Sequence, residues 1–176
     1  MVIPLREVID NGSPPVVHDA ISRFKCLDND VEVFLKTKAI DFERRDKSRT
    51  YLVFDDEAGN LLGYFTLSLN ALRFKDEVSN NMIKRIDGFS IDIKAVGIML
   101  IGQFGKDSEK PGTLTGNDLL SLCFQKIKMA KNIIGGRFVM LECLEIPQVV
   151  TFYEKNDFVK LQKDEKDKYI QMIRRL

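Results

Sequence analysis

The chain has 176 residues with 27 basic and 26 acidic side chains, and this balance excludes a global electrostatic field that recruits nucleic acid or a membrane. Hydrophobic residues make up 44% and charged residues 30%, which is ordinary for a globular protein. A chain of this length buries a sufficient core without disulfide or metal staples. We therefore predict a single domain over residues 1–176.

The cysteine and histidine content predicts neither a disulfide scaffold nor a metal centre. Cys26, Cys123 and Cys143 form no C-x-x-C pair and are odd in number, which argues against disulfide pairing and a cysteine-based zinc site. Cys123 and Cys143 fall on apolar faces, so we expect them to be core thiols. We expect the single histidine, His18, to lie on the surface in an early loop.

Nothing in the sequence predicts targeting to a membrane or export. The opening residues 1–7 are interrupted by charge too early for a signal peptide. The longest apolar candidate, Val96–Ile101, has the length of a strand and is far too short to cross a membrane. A reduced, cytoplasmic setting is the resulting expectation.

The first half of the chain predicts a helix followed by an antiparallel hairpin. Residues 11–15 indicate an irregular loop. A helix is expected to begin near Asp28 or Asn29, with Glu32 in capping-box register with Asn29. Its expected apolar face comprises Leu27, Val31, Phe34, Leu35 and Phe42. Ser48–Phe54 and Leu61–Leu69 are rich in strand-forming residues and flank a polar, glycine-containing turn.

The second half predicts one strand–helix–strand crossover and a closing hairpin. Ala95–Gln103 is a nearly continuous apolar run, typical of a strand covered on both faces at the centre of a sheet. The other expected elements are a helix around Glu77–Arg85, a helix over Gly116–Lys131, a strand over Phe138–Cys143, a short helix begun by Pro147, and a hairpin of Asp157–Leu161 with Lys168–Arg174. This order predicts an α/β (mixed α+β) fold with a mostly antiparallel mixed sheet and helices on both faces.

The loop before the predicted helix at Gly116 is a candidate phosphate site, because a helix start carries unpaired N–H groups and partial positive charge. Gly112 would allow close backbone approach, Thr113 and Thr115 supply hydroxyl groups, and Lys110 supplies a countercharge. The alternative is an ordinary glycine-containing connection with a capped helix, and the loop by itself favours that alternative. Neither a P-loop nor a dinucleotide-binding glycine pattern is present.

The run from Phe152 to Phe158, Phe-Tyr-Glu-Lys-Asn-Asp-Phe, resembles the closing motif of the GNAT acetyltransferases. The preceding strand–loop–helix is similar to the acyl-CoA motif of that family, and the hairpin ending at Leu62–Leu67 to its early strands. The resemblance covers roughly Phe24 to Arg174. In the pyrophosphate loop Pro111 replaces the opening Gln or Arg of the family and Leu114 replaces its middle glycine.

The resemblance implies a fold with a splayed central strand pair, direct acetyl transfer, and acetyl-CoA as the acyl donor. It implies that backbone groups near Ile101 and Gln103 pair with the pantetheine arm like an added strand, and that a strand N–H near Leu100 stabilises the oxyanion. The amides expected to receive the pyrophosphate are those of Gly112, Thr113, Leu114, Thr115, Gly116 and Asn117, with Lys110 nearby.

Tyr153 and Glu142 are the catalytic candidates that the resemblance implies. A tyrosine stays protonated at neutral pH and can give its proton to the departing thiolate, which is the role that the resemblance favours. Position alone favours an amphipathic residue with its ring in the core and its hydroxyl on the surface. Glu142 is a candidate base for the attacking amine, or else a solvated strand residue. A dedicated base is not required if positioning suffices.

The acceptor stays open between several hypotheses. The leading one is an unidentified primary amine. The helix-then-hairpin layout over Leu27–Leu69 is also similar to the toxin branch of the family, which acetylates aminoacyl-tRNA. Residues 44–49 are then a basic patch for RNA rather than the solvated helix end that we favour, although the near-neutral charge counts against RNA binding.

Pro111 and Leu114 motivate a contrasting hypothesis, a non-catalytic acyl-CoA-binding module, and a third is a module that binds no CoA. A monomer and a homodimer are both compatible with the sequence.

Overall fold

The computed structural model describes residues 1–55, 59–110 and 113–176. The helices within these ranges are α1 (Leu5–Asp10), α2 (Pro15–Arg23), α3 (Asn29–Thr37), α4 (Ala39–Arg44), α5 (Asn80–Asp87), α6 (Gly116–Ile134) and α7 (Pro147–Glu154). The strands are β1 (Val2–Pro4), β2 (Arg49–Phe54), β3 (Leu61–Arg73), β4 (Ala95–Lys106), β5 (Phe138–Cys143), β6 (Val159–Lys163) and β7 (Ile170–Arg175). No helix in these ranges combines the length and the apolar character needed to cross a membrane.

The strands form a seven-stranded sheet in the order β1-β2-β3-β4-β5-β7-β6. β4 pairs with β5 in parallel, whereas β1 with β2, β2 with β3, β5 with β7, and β6 with β7 pair antiparallel. The predicted mixed and mostly antiparallel sheet is therefore confirmed, and β4 is its fourth of seven strands, as the continuous apolar run indicated.

The chain divides into two compact units. Unit 1 comprises Met1–Ser68 with Gly102–Met129, and unit 2 comprises Leu69–Ile101 with Ala130–Leu176. β3, β4 and α6 each contribute residues to both units. We describe each unit by itself, and the single domain over 1–176 stays a prediction.

The core of unit 1 is organised around Tyr64, which is fully buried. Its hydroxyl donates a 2.5 Å hydrogen bond to the Val31 carbonyl, and its ring meets Phe24 edge to face at 5.7 Å. Burial raises the pKa of this hydroxyl far above its ordinary value, because ionisation would place a charge in the apolar core. Tyr64 therefore joins β3 to α3 as a neutral hydrogen-bond donor.

The N-terminal helices differ from the sequence-based expectation. α2 begins at Pro15, within the residues that indicate a loop, because proline at the first helical position fits the helix and loses no needed N–H. The turn before α2 is made by Gly12 and Ser13, both with positive φ. His18 is exposed as expected, but it lies in α2 and not in a loop.

The predicted helix over Leu27–Phe42 is two helices, α3 and α4, separated at Lys38. Asp28 caps α3 by accepting the Asp30 N–H at 2.9 Å, so the capping box predicted from Asn29 and Glu32 is wrong. The Glu32 carboxylate instead accepts from Lys36 at 2.6 Å and from the Cys26 N–H at 3.1 Å. Leu27 precedes the helix and is 94% exposed, so it lies outside the apolar face.

A buried carboxylate, Glu43, connects α4 to β2 in unit 1. Its side chain is fully buried and accepts the N–H of Thr50, itself fully buried, at 2.7 Å. Arg49 donates to the same carboxylate at 3.1 Å, and the Arg6 guanidinium lies 4.0 Å away. Because a buried carboxylate is tolerated only when its oxygens are hydrogen-bonded, this cluster fixes the end of α4 against the start of β2.

Unit 2 has its own apolar core, and its closing turn contains a left-handed residue. The core residues are Leu72, Ile86, Ile98, Phe138, Met140 and Ile173. Asp157 has a φ of 63°, a conformation that glycine adopts without steric cost and that aspartate tolerates better than most residues. It occupies the glycine position of the family's closing motif, so the substitution keeps the turn.

Replacing Glu43 by alanine should destabilise the protein by about 2–4 kcal/mol, because the buried Thr50 N–H and the Arg49 guanidinium lose their acceptor. Asp41→Ala is the matched control on the same helix, where an exposed pair with Arg45 at 2.9 Å contributes within about 0.5 kcal/mol. Urea unfolding midpoints measure both changes. Equal losses in the two variants would contradict a structural role for the buried carboxylate.

Replacing Asp157 by valine should destabilise the protein by about 1–2 kcal/mol, because a β-branched residue is strained at positive φ. Asp157→Gly should cause no loss, since the exposed pair with Arg174 at 3.4 Å contributes little. Thermal unfolding of the two variants measures the difference. An equal loss of stability in both variants would show that the aspartate side chain, and not the positive φ, determines the stability of this turn.

Candidate active site

The start of α6 in unit 1 is a closed capping box. Asp118 accepts hydrogen bonds from the Thr115 N–H at 3.0 Å and from the Thr115 hydroxyl at 2.5 Å, and its own N–H donates to that hydroxyl at 3.1 Å. These bonds from Thr115 hold the pKa of the Asp118 carboxyl below its ordinary value. The Thr115 hydroxyl, predicted as a phosphate donor, therefore already serves a carboxylate of the chain.

Lys110, predicted as the countercharge, is also engaged by a carboxylate. Its ammonium group lies 3.2 Å from the carboxylate of Asp107, which is almost completely buried. The same carboxylate accepts the Glu109 N–H at 2.8 Å, and the Asp107 N–H donates to the Leu62 carbonyl at 2.7 Å. Because Asp107 is held from three sides, Lys110 neutralises a fixed internal charge.

Leu114, which stands where the family has a glycine, is buried. Its side chain packs against Gly63 in β3, where an added Cβ would lie 3.0 Å from the leucine Cδ2 and 2.9 Å from the Gly105 carbonyl oxygen. This close approach explains why glycine stands at position 63. The leucine side chain thus packs against β3. A glycine at position 114 would have no side chain to make this contact.

The other residues of the predicted phosphate loop are distributed unevenly. Pro111 and Gly112 lie outside the described residues. Thr113 and Asn117 are exposed, and Gly116 is half-buried. Gly116 is the first residue of α6, and such a position has no acceptor within its own helix for its N–H.

A side-chain hydrogen bond joins β4 to β3 at Gln103 in unit 1. The Gln103 N–H donates to the hydroxyl of Thr66 in β3 at 2.8 Å, so this acceptor is a side chain and not a backbone carbonyl. The Gln103 N–H is thus engaged by Thr66, and the pairing of backbone groups near Ile101 and Gln103 with a pantetheine arm stays a prediction. Within the described residues, the Gln103 Oε1 atom is buried and has no hydrogen-bond partner. Sequence reasoning missed Thr66, a polar residue inside a strand of apolar neighbours.

In unit 2, the pairing of β4 with β5 is short. Among the described residues it comprises Met99–Ile101 opposite Val139–Leu141, and β4 leaves this unit after Ile101. Ile101 is buried and Leu100, the expected oxyanion donor, stands opposite Met140. The strand register thus ends at the residue where the family resemblance places the acyl donor.

Tyr153 lies in the last turn of α7 in unit 2 and is 8% exposed. Its ring packs edge to face against Phe152 at 5.0 Å and against Phe158 at 5.6 Å. Its carbonyl accepts the N–H groups of Asn156 and Phe158 at 3.0 and 3.1 Å. The aromatic pair and the closed turn therefore fix the position of the tyrosine.

Glu142 is exposed on β5 and stands at the end of a hydrogen-bonded chain of side chains in unit 2. Its carboxylate accepts from the Gln171 amide at 2.8 Å. The Gln171 Oε1 accepts from Gln162 at 2.7 Å, which orients the Gln171 amide with its N–H groups toward Glu142. Gln162 in turn donates to the Arg73 carbonyl at 2.7 Å. The structure thus holds Glu142 in a defined orientation.

The two cysteines of the apolar faces and the basic run over residues 44–49 were the other residues considered from the sequence. Cys123 and Cys143 are buried, and burial raises the pKa of both thiols, that of Cys143 to about 11. Two cations of the basic run over residues 44–49 are paired with acids, since Arg45 bonds to Asp41 and Arg49 bonds to Glu43 and Asp46. No group of three or more His, Cys, Asp or Glu side chains in the described residues is arranged for a metal ion.

No family model matches the chain. A curated relative is the probable toxin TacT of Sinorhizobium fredii (strain NBRC 101917 / NGR234), which is 25% identical over 130 residues that make up 74% of this chain and 68% of the relative. Among solved structures, AtaT complexed with acetyl-methionyl-tRNAfMet matches with a TM-score of 0.67 and 20% identity, covering 85% of both chains. AtaTR bound with AcCoA matches with a TM-score of 0.65 and 21% identity, covering 86% of this chain and 84% of the other.

These structures share the architecture that the motif Phe152–Phe158 and the strand order indicated. TM-scores of 0.65 to 0.67 over most of both chains establish the fold even at low identity. The chain therefore has the fold of these structures, which is the GNAT fold that the closing motif predicted.

Proposed function

We propose that this protein is an acetyl-CoA-dependent N-acetyltransferase that acetylates the amino group of an aminoacyl-tRNA. The observation that carries the proposal is the similarity in fold to AtaT complexed with acetyl-methionyl-tRNAfMet, together with a curated relative named as a probable toxin. Both support the toxin-branch alternative better than an unspecified primary amine. The near-neutral net charge then requires that RNA binding depend on local clusters of charge.

The residues of unit 1 fit acetyl-CoA through their backbone and through one orphaned side-chain atom. Gly116 begins α6, where the helix end favours a phosphate group. The buried Gln103 Oε1 has no donor among residues 1–55, 59–110 and 113–176, and the amide N–H groups of a pantetheine arm could serve as donors to it. Lys110 and Thr115 contribute less than their residue types suggest, because Asp107 and Asp118 occupy them.

The residues of unit 2 supply the proton transfers. Bound acetyl-CoA supplies an acetyl group activated as a thioester. Tyr153 gives its phenolic proton to the sulfur as the carbon–sulfur bond breaks and the new carbon–nitrogen bond forms. Glu142, oriented by Gln171, accepts the proton that the attacking amine releases, directly or through water. The packing of the Tyr153 ring against Phe152 and Phe158 fixes the position from which the phenolic proton is given.

A second candidate function is acyl-CoA binding without catalysis. It is favoured by the buried Leu114 in place of a glycine and by the two acids at the phosphate loop. This candidate requires measurable acetyl-CoA affinity without transfer to any aminoacyl-tRNA. The proposed enzyme requires both.

Replacing Tyr153 by phenylalanine should lower kcat for acetylation of aminoacyl-tRNA by about 100-fold or more, because the ring packing is kept while the acid is lost. The KM for acetyl-CoA should stay unchanged. The matched control is Tyr169→Phe, which removes a hydroxyl from a half-buried tyrosine of the same unit. Each variant is incubated with acetyl-CoA and a panel of aminoacylated tRNAs, and mass spectrometry of the acetylated products measures the rates.

Two outcomes would count against the proposal. If Tyr153→Phe retains the rate of Tyr169→Phe, tyrosine acid catalysis is wrong. If the wild-type protein binds acetyl-CoA in calorimetry but acetylates none of the charged tRNAs, the non-catalytic candidate replaces the enzyme.

Replacing Asp118 by asparagine should tighten acetyl-CoA binding about two- to fivefold, the effect of one charge at a helix terminus. The asparagine can still accept from Thr115, so the cap remains. Because the folded pKa of Asp118 is depressed, its contribution to stability is present above the unfolded pKa and is lost as the pH falls through the folded value. Asp30→Asn, in the first turn of α3, is the control.

Titration calorimetry at two salt concentrations measures this effect, which should shrink at the higher salt concentration. An unchanged dissociation constant in Asp118→Asn would show that no phosphate group binds near the start of α6.

A further inference from the structure

Unit 2 contains a surface cleft of about 220 Å³ that the candidate active site does not use. Its lining residues are Met82, Arg85, Phe138, Asp157, Val159, Ile173, Arg174 and Arg175. Apolar side chains and three arginines therefore surround one space. The volume is below the range of roughly 300–1,000 Å³ for pockets that enclose a whole small molecule, so the cleft suits a fragment of a larger ligand.

The cleft is strongly basic although the chain is nearly neutral. Three of its lining residues are arginines and one is an acid, so its formal charge is +2 against +1 for the whole chain. Arginine presents a planar fork of donors that matches phosphate oxygens, and it stays charged at any physiological pH. A concentrated arginine cluster on an otherwise balanced surface is a local anion-binding feature.

Separate elements bring the arginines together. Arg85 lies in the last turn of α5, and Arg174 and Arg175 end β7, where Arg175 stands opposite Phe138. The Arg137 guanidinium supports the α5 side by donating to the Arg85 carbonyl at 3.4 Å. It lies against Gly88, where an added Cβ would approach it to 2.5 Å. A further arginine, Arg137, is therefore in close contact with the end of α5.

An anion of the chain already occupies part of the cleft. The Asp157 carboxylate lies 3.4 Å from the Arg174 guanidinium, and the aspartate side chain is 81% exposed. An exposed ion pair contributes little free energy, so an incoming phosphate can replace the aspartate at small cost. Asp157 stands where the family motif has an uncharged glycine, so this competing charge is a property of this chain.

The cleft is directly connected to Tyr153 through the closing turn of α7. Asp157 lines the cleft, and the next residue, Phe158, packs its ring 5.6 Å from that of Tyr153. The Phe158 N–H also donates to the Tyr153 carbonyl at 3.1 Å. A ligand held in the cleft therefore lies against the same turn that positions the proposed acid.

We propose that this cleft binds a backbone phosphate of the RNA substrate, with Arg85, Arg174 and Arg175 as its ligands and Asp157 as a competing anion that lowers the affinity. The assignment of the RNA as an aminoacyl-tRNA rests on the proposed function. The binding of phosphate by the arginine cluster rests on the cleft itself.

The test uses the double variant Arg85→Gln/Arg175→Gln, because both side chains are exposed and their replacement spares the core. The dissociation constant for deacylated tRNA should rise about tenfold or more, and the slope of log affinity against log salt should fall by about one for each phosphate that is no longer neutralised. Acetyl-CoA affinity should stay unchanged. Single and double controls are Arg73→Gln and Arg73→Gln/Lys168→Gln, which remove exposed cations of the same unit from outside the cleft.

Asp157→Asn provides the opposite test, because asparagine tolerates the positive φ while the charge is removed. Its affinity for tRNA should rise a few-fold, with the largest gain at low salt. A double variant with Arg174→Gln should cancel that gain, since the aspartate acts through this arginine.

The proposal is overturned if the cleft variant loses no more affinity than the charge-matched control. It is also overturned if the cleft variant loses affinity for an acidic peptide but keeps its affinity for RNA. Loss of tRNA affinity in the cleft variant with no acetylation by the wild type would remove the proposed function and leave the RNA site. If the wild type acetylates the tRNA and the cleft variant keeps an unchanged KM for tRNA, the proposed function stands and the RNA site in the cleft is wrong.

Discussion

The parallel pairing of β4 with β5 over only three residues is the constraint on which the candidate site depends. Parallel neighbours cannot be joined by a tight turn, so the chain must cross over, and α6 makes that crossing. The crossover places a helix start after the carboxyl end of β4, and β5 leads directly into α7 with Tyr153. Strand pairing thus decides which polar groups follow the central strands.

Carboxylates of the chain stand beside the groups that a phosphate would use. Asp118 holds Thr115, Asp107 holds Lys110, and Asp157 faces Arg174. At the start of α6 two backbone N–H groups are also engaged, that of Thr115 by the Asp118 carboxylate and that of Asp118 by the Thr115 hydroxyl. Gly116, the first residue of the helix, is therefore the backbone position that best suits a phosphate there. In the unit 2 cleft the aspartate is exposed, so the competition there is weak and depends on salt.

Many elements were predictable because local patterns encode them. The strand Phe138–Cys143 and the helix at Pro147 match their predicted limits, since a continuous apolar run and a proline are strong local signals. The N-terminal region was less predictable. Pro14 and Pro15 are typical of loops and of helix starts alike, and the interruption at Lys38 leaves no mark in the helical periodicity.

The sequence by itself determined the order of elements, the central strand and the motif that contains Tyr153, because each depends on residues close together in the chain. Only the tertiary structure decided which charges are available. The partners of Glu43, Gln103 and Glu142 come from other elements of the fold. The arginine cleft joins residues about 90 positions apart. Such pairings depend on how strands and helices pack in space, and no periodicity along a single segment records them.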